Sequence, residues 1–262
     1  MIRSTLHDIL PGMAGKPRLI SLSISPFNEL ARWSLERAGV PYDEEKKALV
    51  WHVLASRRAG GKGTTPLLVA DGDVVPESIE IAEWADRHAA PGRRLYPEGP
   101  AGDETRELVR HYAEDLGPES RRVIWGHLVK QPGLASRYWG QGVSPRQARV
   151  QPWLLRIGRP GVRRALGLSR AEQEAAPGRV RAIFDEVAER LSDGRRHLLG
   201  DELTAADIAF AAMASPAVLP DDGYPAEMPK PEEFPESVAA TIRELRAHPA
   251  GAYALRLYRD ER

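Results

Sequence analysis

The stretch that most constrains the fold is Arg18–Gly39, where an apolar run passes directly into an amphipathic one. Leu19, Ile20, Leu22 and Ile24 are aliphatic and suit a buried strand. Ser25 and Pro26 then read as a helix N-cap and first helical position, where the N–H that proline lacks is not needed. Leu30, Trp33, Ser34 and Ala38 recur at helical spacing, and Gly39 stands where a left-handed C-terminal cap is wanted. A strand therefore ends on the start of a helix, with Ser25 at the junction. Free amides and the helix dipole favour negative charge there, the geometry that holds a thiolate or another small anion.

The following residues extend that unit. Val40–Glu45 reads as a short strand, 49–58 as a short helix, and Ala59-Gly60-Gly61-Lys62-Gly63 as a flexible loop. Thr64–Ala70 and Asp73–Val75 flank an Asp71-Gly72 turn and read as a hairpin. Pro76-Glu77-Ser78 opens a helix to about Arg87. The Pro- and Gly-rich run 92–103 reads as a linker, and beyond it no alternating strand pattern recurs. Helices are expected over 104–130, 179–193 and 237–258, with 131–178 broken by Pro and Gly and 220–236 proline-rich and acidic. Thr204 and Asp207 have the spacing of a capping box, a folding signal without chemistry.

Composition narrows the chemistry. The 262 residues contain no cysteine, which excludes disulfides, thiolate metal sites and a protein thiol nucleophile. Any sulfur chemistry must arrive with a ligand. Lys plus Arg equals Asp plus Glu, at 37 each, so no overall field argues for nucleic acid. No run approaches the ~18 apolar residues of a membrane span. The N-terminus lacks the apolar core of a signal peptide, so a cytoplasmic location is expected.

Ser25-Pro26-Phe27, Thr65-Pro66, Glu77-Ser78 and Leu198-Leu-Gly-Asp-Glu-Leu-Thr204-Ala-Ala-Asp207-Ile-Ala-Phe210 each carry little alone. In this order and spacing the chain resembles a cytosolic-type glutathione transferase of the serine type, over roughly 18–97 and 104–215. The resemblance implies an N-terminal extension (1–17), a thioredoxin-like α/β glutathione-binding domain (18–97), a linker (98–103) and an all-α substrate-binding domain (104–262). It implies glutathione as co-substrate, a small-molecule electrophile, no metal and no membrane, and a homodimer engaged in detoxification. Ser25 matches the serine that donates a hydrogen bond to the glutathione sulfur. Phe27, His52, Thr65, Pro66, Glu77 and Ser78 form the glutathione-contact set. Within it Pro66 is expected to be cis, Thr65 to meet the cysteinyl backbone, Glu77 and Ser78 the γ-glutamyl end, and His52 the glycyl carboxylate. The departures are Ala59–Lys62 in place of Asn-Pro, and Asn28-Glu29 in place of a small and a basic residue.

A free thiol titrates near ~8.5, so little is thiolate at neutral pH. A hydroxyl and helix amides that lower it by ~2 units supply ~2.7 kcal/mol of differential stabilisation. Ser25 could equally serve only as a cap, and Ser23 is a rival hydroxyl that strand alternation disfavours. Tyr112, Trp125 and Trp139 are candidates for the substrate-pocket wall, although helical spacing suits them to a core as well.

Charge is segregated beyond the linker. Ser120–Ala171 holds ten Arg and one Lys with no acid, while 201–236 holds nine acids against Lys230. The two blocks could face one another within the fold or across a dimer. The arginines could instead hold an anionic or aromatic second substrate, or serve a non-catalytic protein that binds an anionic ligand or partner. No recognised motif accompanies them for nucleic acid.

Overall fold

A computed structural model describes residues 15–262. Of the extension expected over 1–17, residues 1–14 lie outside the described residues.

The chain first builds a four-stranded sheet in the order β2-β1-β3-β4. Strand β1 (Arg18–Ser21) pairs parallel with β2 (Asp43–Lys46) and antiparallel with β3 (Leu67–Ala70). β3 pairs antiparallel with β4 (Asp73–Pro76) across the Asp71-Gly72 turn. The parallel pair requires a crossover, and helix α1 (Pro26–Arg37) supplies it. Gly39 sits at φ +73°, and the Gly39 and Val40 amides cap the Glu36 and Leu35 carbonyls. A side chain there would strain the turn and meet Arg93 and Ala90. Helix α2 (Trp51–Arg58) precedes β3, and α3 (Ser78–Arg87) follows β4 and packs against α1. The Thr65–Pro66 bond is cis.

The remainder is helical among the described residues. Helix α4 (Pro100–His111) begins inside the expected linker, then passes through a π-helical turn (Tyr112–Leu116) into α5 (Gly117–Leu128). Next come α6 (Pro132–Trp139), α7 (Pro145–Ala165) and α8 (Arg170–Arg190). The expected break over 131–178 is therefore three helices. Pro152, Pro160 and Pro177 each lie inside a helix, where a proline removes one amide donor while the flanking bonds continue. Ser144 and Ser169 cap α7 and α8 through the Gln147 and Glu172 amides.

Helix α9 (Ala205–Val218) is buried along its whole length and packs on α1, α4 and α5. A helix apolar all round belongs at the centre. Asp207 closes the capping box through the Thr204 amide at 2.7 Å, and its other oxygen receives the Leu198 amide at 2.8 Å. The single helix expected over 237–258 is divided into α10 (Glu236–Ala247) and α11 (Pro249–Asp260). Pro249 forces the residue before it out of helical geometry, and His248 has ψ 143°. Asp86 at the end of α3 receives the Leu95 and Tyr96 amides at 2.6 and 3.0 Å, which fixes the first helices against the rest.

Candidate active site

Between the sheet's carboxyl edge and the helical bundle lies a cleft of about 740 Å³. Ser25, Phe27, His52, Thr65, Arg121 and Trp125 contribute to its wall, with Val53, Val162 and Leu166 among the apolar members. The cleft draws on four separate elements. Ser25 and Phe27 come from the start of α1, His52 from α2, Arg121 and Trp125 from α5, and Val162 from α7.

Ser25 is 5% exposed and extended (φ −158°, ψ 126°), which aims its side chain back over the first turn of α1. Its hydroxyl oxygen accepts the Asn28 amide at a long 3.5 Å. As an acceptor in that bond, the hydroxyl keeps its own proton for another group. Ser23 differs: it is fully buried and its hydroxyl donates to the Gln141 carbonyl, so its proton is already committed. The Ser25 backbone is held from the far end of the chain by the Tyr224 hydroxyl.

Beneath this first turn lies a buried ionic cluster. Glu29 and Arg32 are fully buried, Arg32 bonds Glu44 at 2.5 Å, and Arg262 bonds Glu29 at 2.7 Å. Burial raises the Glu29 carboxyl above its ordinary range, while Arg262 and Arg32 work against that rise. The acid at 29, anomalous for a site that favours an anion, is thus answered by two arginines.

The other expected contacts divide into two groups. Thr65 and His52 reach the cleft, and Trp125 forms part of its wall. Burial lowers the His52 imidazole below its usual value, against the opposing pull of the Ala48 backbone, so the ring is neutral at pH 7. Pro66 is buried beside Thr65. Glu77 and Ser78 stand at the start of α3, outside the cleft's wall. Glu77 holds φ +59°, a strained position for a residue with a side chain, and accepts the Thr64 hydroxyl at 3.1 Å. Ser78 is 2% exposed.

Tyr112 and Trp139, expected in the pocket wall, pack in the core instead. Tyr112 is 2% exposed and meets Phe210 edge-on at 5.3 Å. Trp139 is 1% exposed and lies behind Trp125, with ring centres 5.2 Å apart. Arg57 had no sequence signal of its own, and Arg121 was marked only as one of the ten arginines of the acid-free Ser120–Ala171 block. Arg57 lines the cleft from α2, and Arg121 sits over Phe27. Within this one chain the charge blocks do not broadly face one another. Arg137 pairs with Glu227 and Glu233, while Arg146, Arg149, Arg156, Arg159 and Arg164 have no carboxylate within 4.0 Å among the described residues.

Among the described residues no group of three or more His, Asp or Glu is placed to hold a metal, and no helix is long and apolar enough to cross a membrane.

A four-stranded mixed sheet whose crossover helix is capped by Ser25, joined to a helical bundle, defines a thioredoxin-like domain fused to an all-helical one. The chain belongs to the glutathione S-transferase family: its N-terminal domain description matches residues 24–88 and its C-terminal domain description residues 170–252. Among solved structures it is similar to the glutathione S-transferase of Ceriporiopsis subvermispora in complex with glutathione. That likeness has 16% identity, covers 93% of this chain and 95% of the other, and has a TM-score of 0.59. A theta class glutathione S-transferase of Xanthomonas axonopodis pv. citri with glutathione bound is 20% identical over 91% and 96% of the two chains, with a TM-score of 0.56. The beta-etherase LigF of Sphingobium sp. is 17% identical over 92% and 98%, with a TM-score of 0.54. No curated protein matches.

Proposed function

We propose that this chain is a glutathione transferase that binds glutathione on its α/β domain and transfers the thiolate to a small electrophile in the cleft. The observation that carries the reading is the Ser25 hydroxyl, at the helix start and in the cleft wall, with its proton uncommitted. That hydroxyl donates to the sulfur, and the α1 amides and dipole favour the ionised form. Thr65, beside the cis proline, offers its backbone to the cysteinyl unit. Glu77 and Ser78 grip the γ-glutamyl end, and the strained Glu77 backbone fits a residue held for a ligand. His52 is neutral, so Arg57 supplies the charge opposite the glycyl carboxylate while His52 adds a hydrogen bond. Phe27 and Trp125 wall off the reacting centre and orient the electrophile, which lowers the entropy cost of attack. The sulfur forms a bond to carbon and the leaving group departs with its electron pair, in conjugation or in another transfer such as ether cleavage. The setting is a cytoplasmic homodimer that disposes of reactive compounds. A non-catalytic role for the Arg-rich 120–171 segment has no comparable support.

The deciding experiment is retention of the folded chain on immobilised glutathione, together with turnover of 1-chloro-2,4-dinitrobenzene. Retention should be lost in Glu77→Ala and Ser78→Ala. Ser25→Ala should retain its fold, raise the bound thiol's pKa and cut turnover roughly a hundredfold. A folded protein that neither binds the resin nor turns over the electrophile would overturn the reading.

A further inference from the structure

Where α5 borders the cleft, it carries a cation with no carboxylate partner among the described residues. Arg121 lies in the first turns of α5, its guanidinium carbon 5.0 Å from the centre of the Phe27 ring and 5.4 Å from that of Trp125. Its Nε is buried without a hydrogen-bond partner, and no carboxylate lies within 4.0 Å among the described residues. Two more deeply buried arginines are treated differently. Arg32 bonds Glu44 and faces Glu29, and Arg262 bonds Glu29 and Glu36. Arg122, one residue on, is paired with Glu119. Burial, with the neighbouring Arg122 charge, draws Arg121 down to about 10, which leaves it a cation at neutral pH.

A largely buried guanidinium with an unpaired Nε costs stability, and two aromatic faces offset only part of that cost. The guanidinium offers a planar donor fork that fits a carboxylate in two parallel hydrogen bonds. One such fork suits a single monoanionic carboxylate better than a phosphate dianion. Val53, Val162 and Leu166 give the same cleft an apolar side for the body of such a molecule.

We propose that Arg121 is the specificity-determining anchor of the second substrate, and that this substrate is an electrophilic aromatic carboxylic acid whose carboxylate seats on the guanidinium. The inference rests on the glutathione-transferase reading for the reaction, though not for the binding. With a chlorinated ring acid, the thiolate sulfur bonds the carbon bearing chlorine. Chloride leaves with the electron pair of the broken bond, and the thiol proton has gone to solvent.

The test compares 4-chloro-3,5-dinitrobenzoate with its methyl ester, which keeps the reactive carbon and removes the charge. In Arg121→Met the acid-to-ester ratio of kcat/KM should fall about 30-fold, with partial recovery in Arg121→Lys. Equal losses for acid and ester, with a raised thiol pKa, would instead assign Arg121 to the sulfur and overturn the inference. An unchanged ratio overturns it too. Binding of unreactive 3,5-dinitrobenzoate to the full chain, followed by tryptophan fluorescence without glutathione, supplies an independent readout. It should weaken about tenfold or more in Arg121→Met and in the second variant Arg121→Gln, with circular dichroism confirming the fold of each. Acid binding that requires Arg121 while neither electrophile reacts would sink the transferase reading and leave this one standing. Ester turnover with acid binding indifferent to Arg121 would do the reverse.

Discussion

The Ser25 amide donates to the Tyr224 hydroxyl at 3.1 Å, and that hydroxyl donates to the Ser25 carbonyl at 3.4 Å, across 199 residues of sequence. One phenol thus holds both backbone groups of the residue that caps α1. Burial, with Glu29 nearby, pushes the Tyr224 phenol well above its ordinary value, so it remains a neutral donor and acceptor. The direction in which Ser25 points is set by the helical domain as well as by the helix it caps.

Tyr224→Phe removes both bonds and leaves the Ser25 amide without that partner. The fold should persist with a loss of about 1–2 kcal/mol. Turnover should fall roughly tenfold, because a small displacement of the hydroxyl degrades its alignment with the sulfur. Denaturant melts and steady-state kinetics check this, and a variant with full kcat would separate Tyr224 from the positioning of Ser25.

Gly117 permits the close approach of α5 to the front of the site. A Cβ built there would lie 2.6 Å from the Met213 sulfur and 2.9 Å from the Phe27 ring. Met213 is fully buried and the Phe27 ring carries Arg121 on its face, so an added methyl forces both to repack. Gly117→Ala should therefore cost about 1–3 kcal/mol and weaken electrophile binding, seen as a raised KM. Gly133→Ala, inside α6 where a Cβ meets nothing within 4 Å, is the control and should lower neither stability nor electrophile affinity.

The Glu29–Arg262 pair invites a double-mutant cycle. Arg262→Met leaves Glu29 buried with only Arg32 at 3.5 Å, and should destabilise by about 3 kcal/mol. Glu29→Gln in the same chain removes the stranded charge and should recover much of that loss. Additive losses in the double variant would show that the two side chains do not stabilise one another.

Local signals were legible in the sequence. The Ser25-Pro26 cap, the Asp71-Gly72 hairpin and the Thr204–Asp207 capping box each declare themselves within a few residues. Helix α7 was hidden because Pro152 and Pro160 read as breaks, whereas a helix held by its neighbours tolerates both. Tyr112 and Trp139 could not be separated from Trp125 by periodicity. An inward-facing helical residue can meet either the core or the cleft, and only the packing of α5 on α6 and of the π-helical turn on α9 decides which. Arg121 over Phe27 and Tyr224 on Ser25 are meetings of distant segments, for which the chain carries no local mark.

Acid should expose the buried histidines. Burial lowers His52, His127 and His197 below their ordinary value of 6.5. Above that value the rings are neutral in both the folded and unfolded chain and contribute no pH dependence. As pH falls through 6.5 the unfolded chain takes up protons that the folded rings refuse, so stability declines. The decline levels off once the folded rings themselves protonate. Glu29, whose carboxyl is raised, opposes this trend at lower pH by favouring the protonated folded form. Comparison with the double variant His52→Gln, His197→Gln isolates the part that these two rings contribute. Urea midpoints for the unmodified chain should drop between pH 7.5 and 5.5 and change less in the variant; identical slopes would mean that these two rings titrate as freely in the fold as in the open chain.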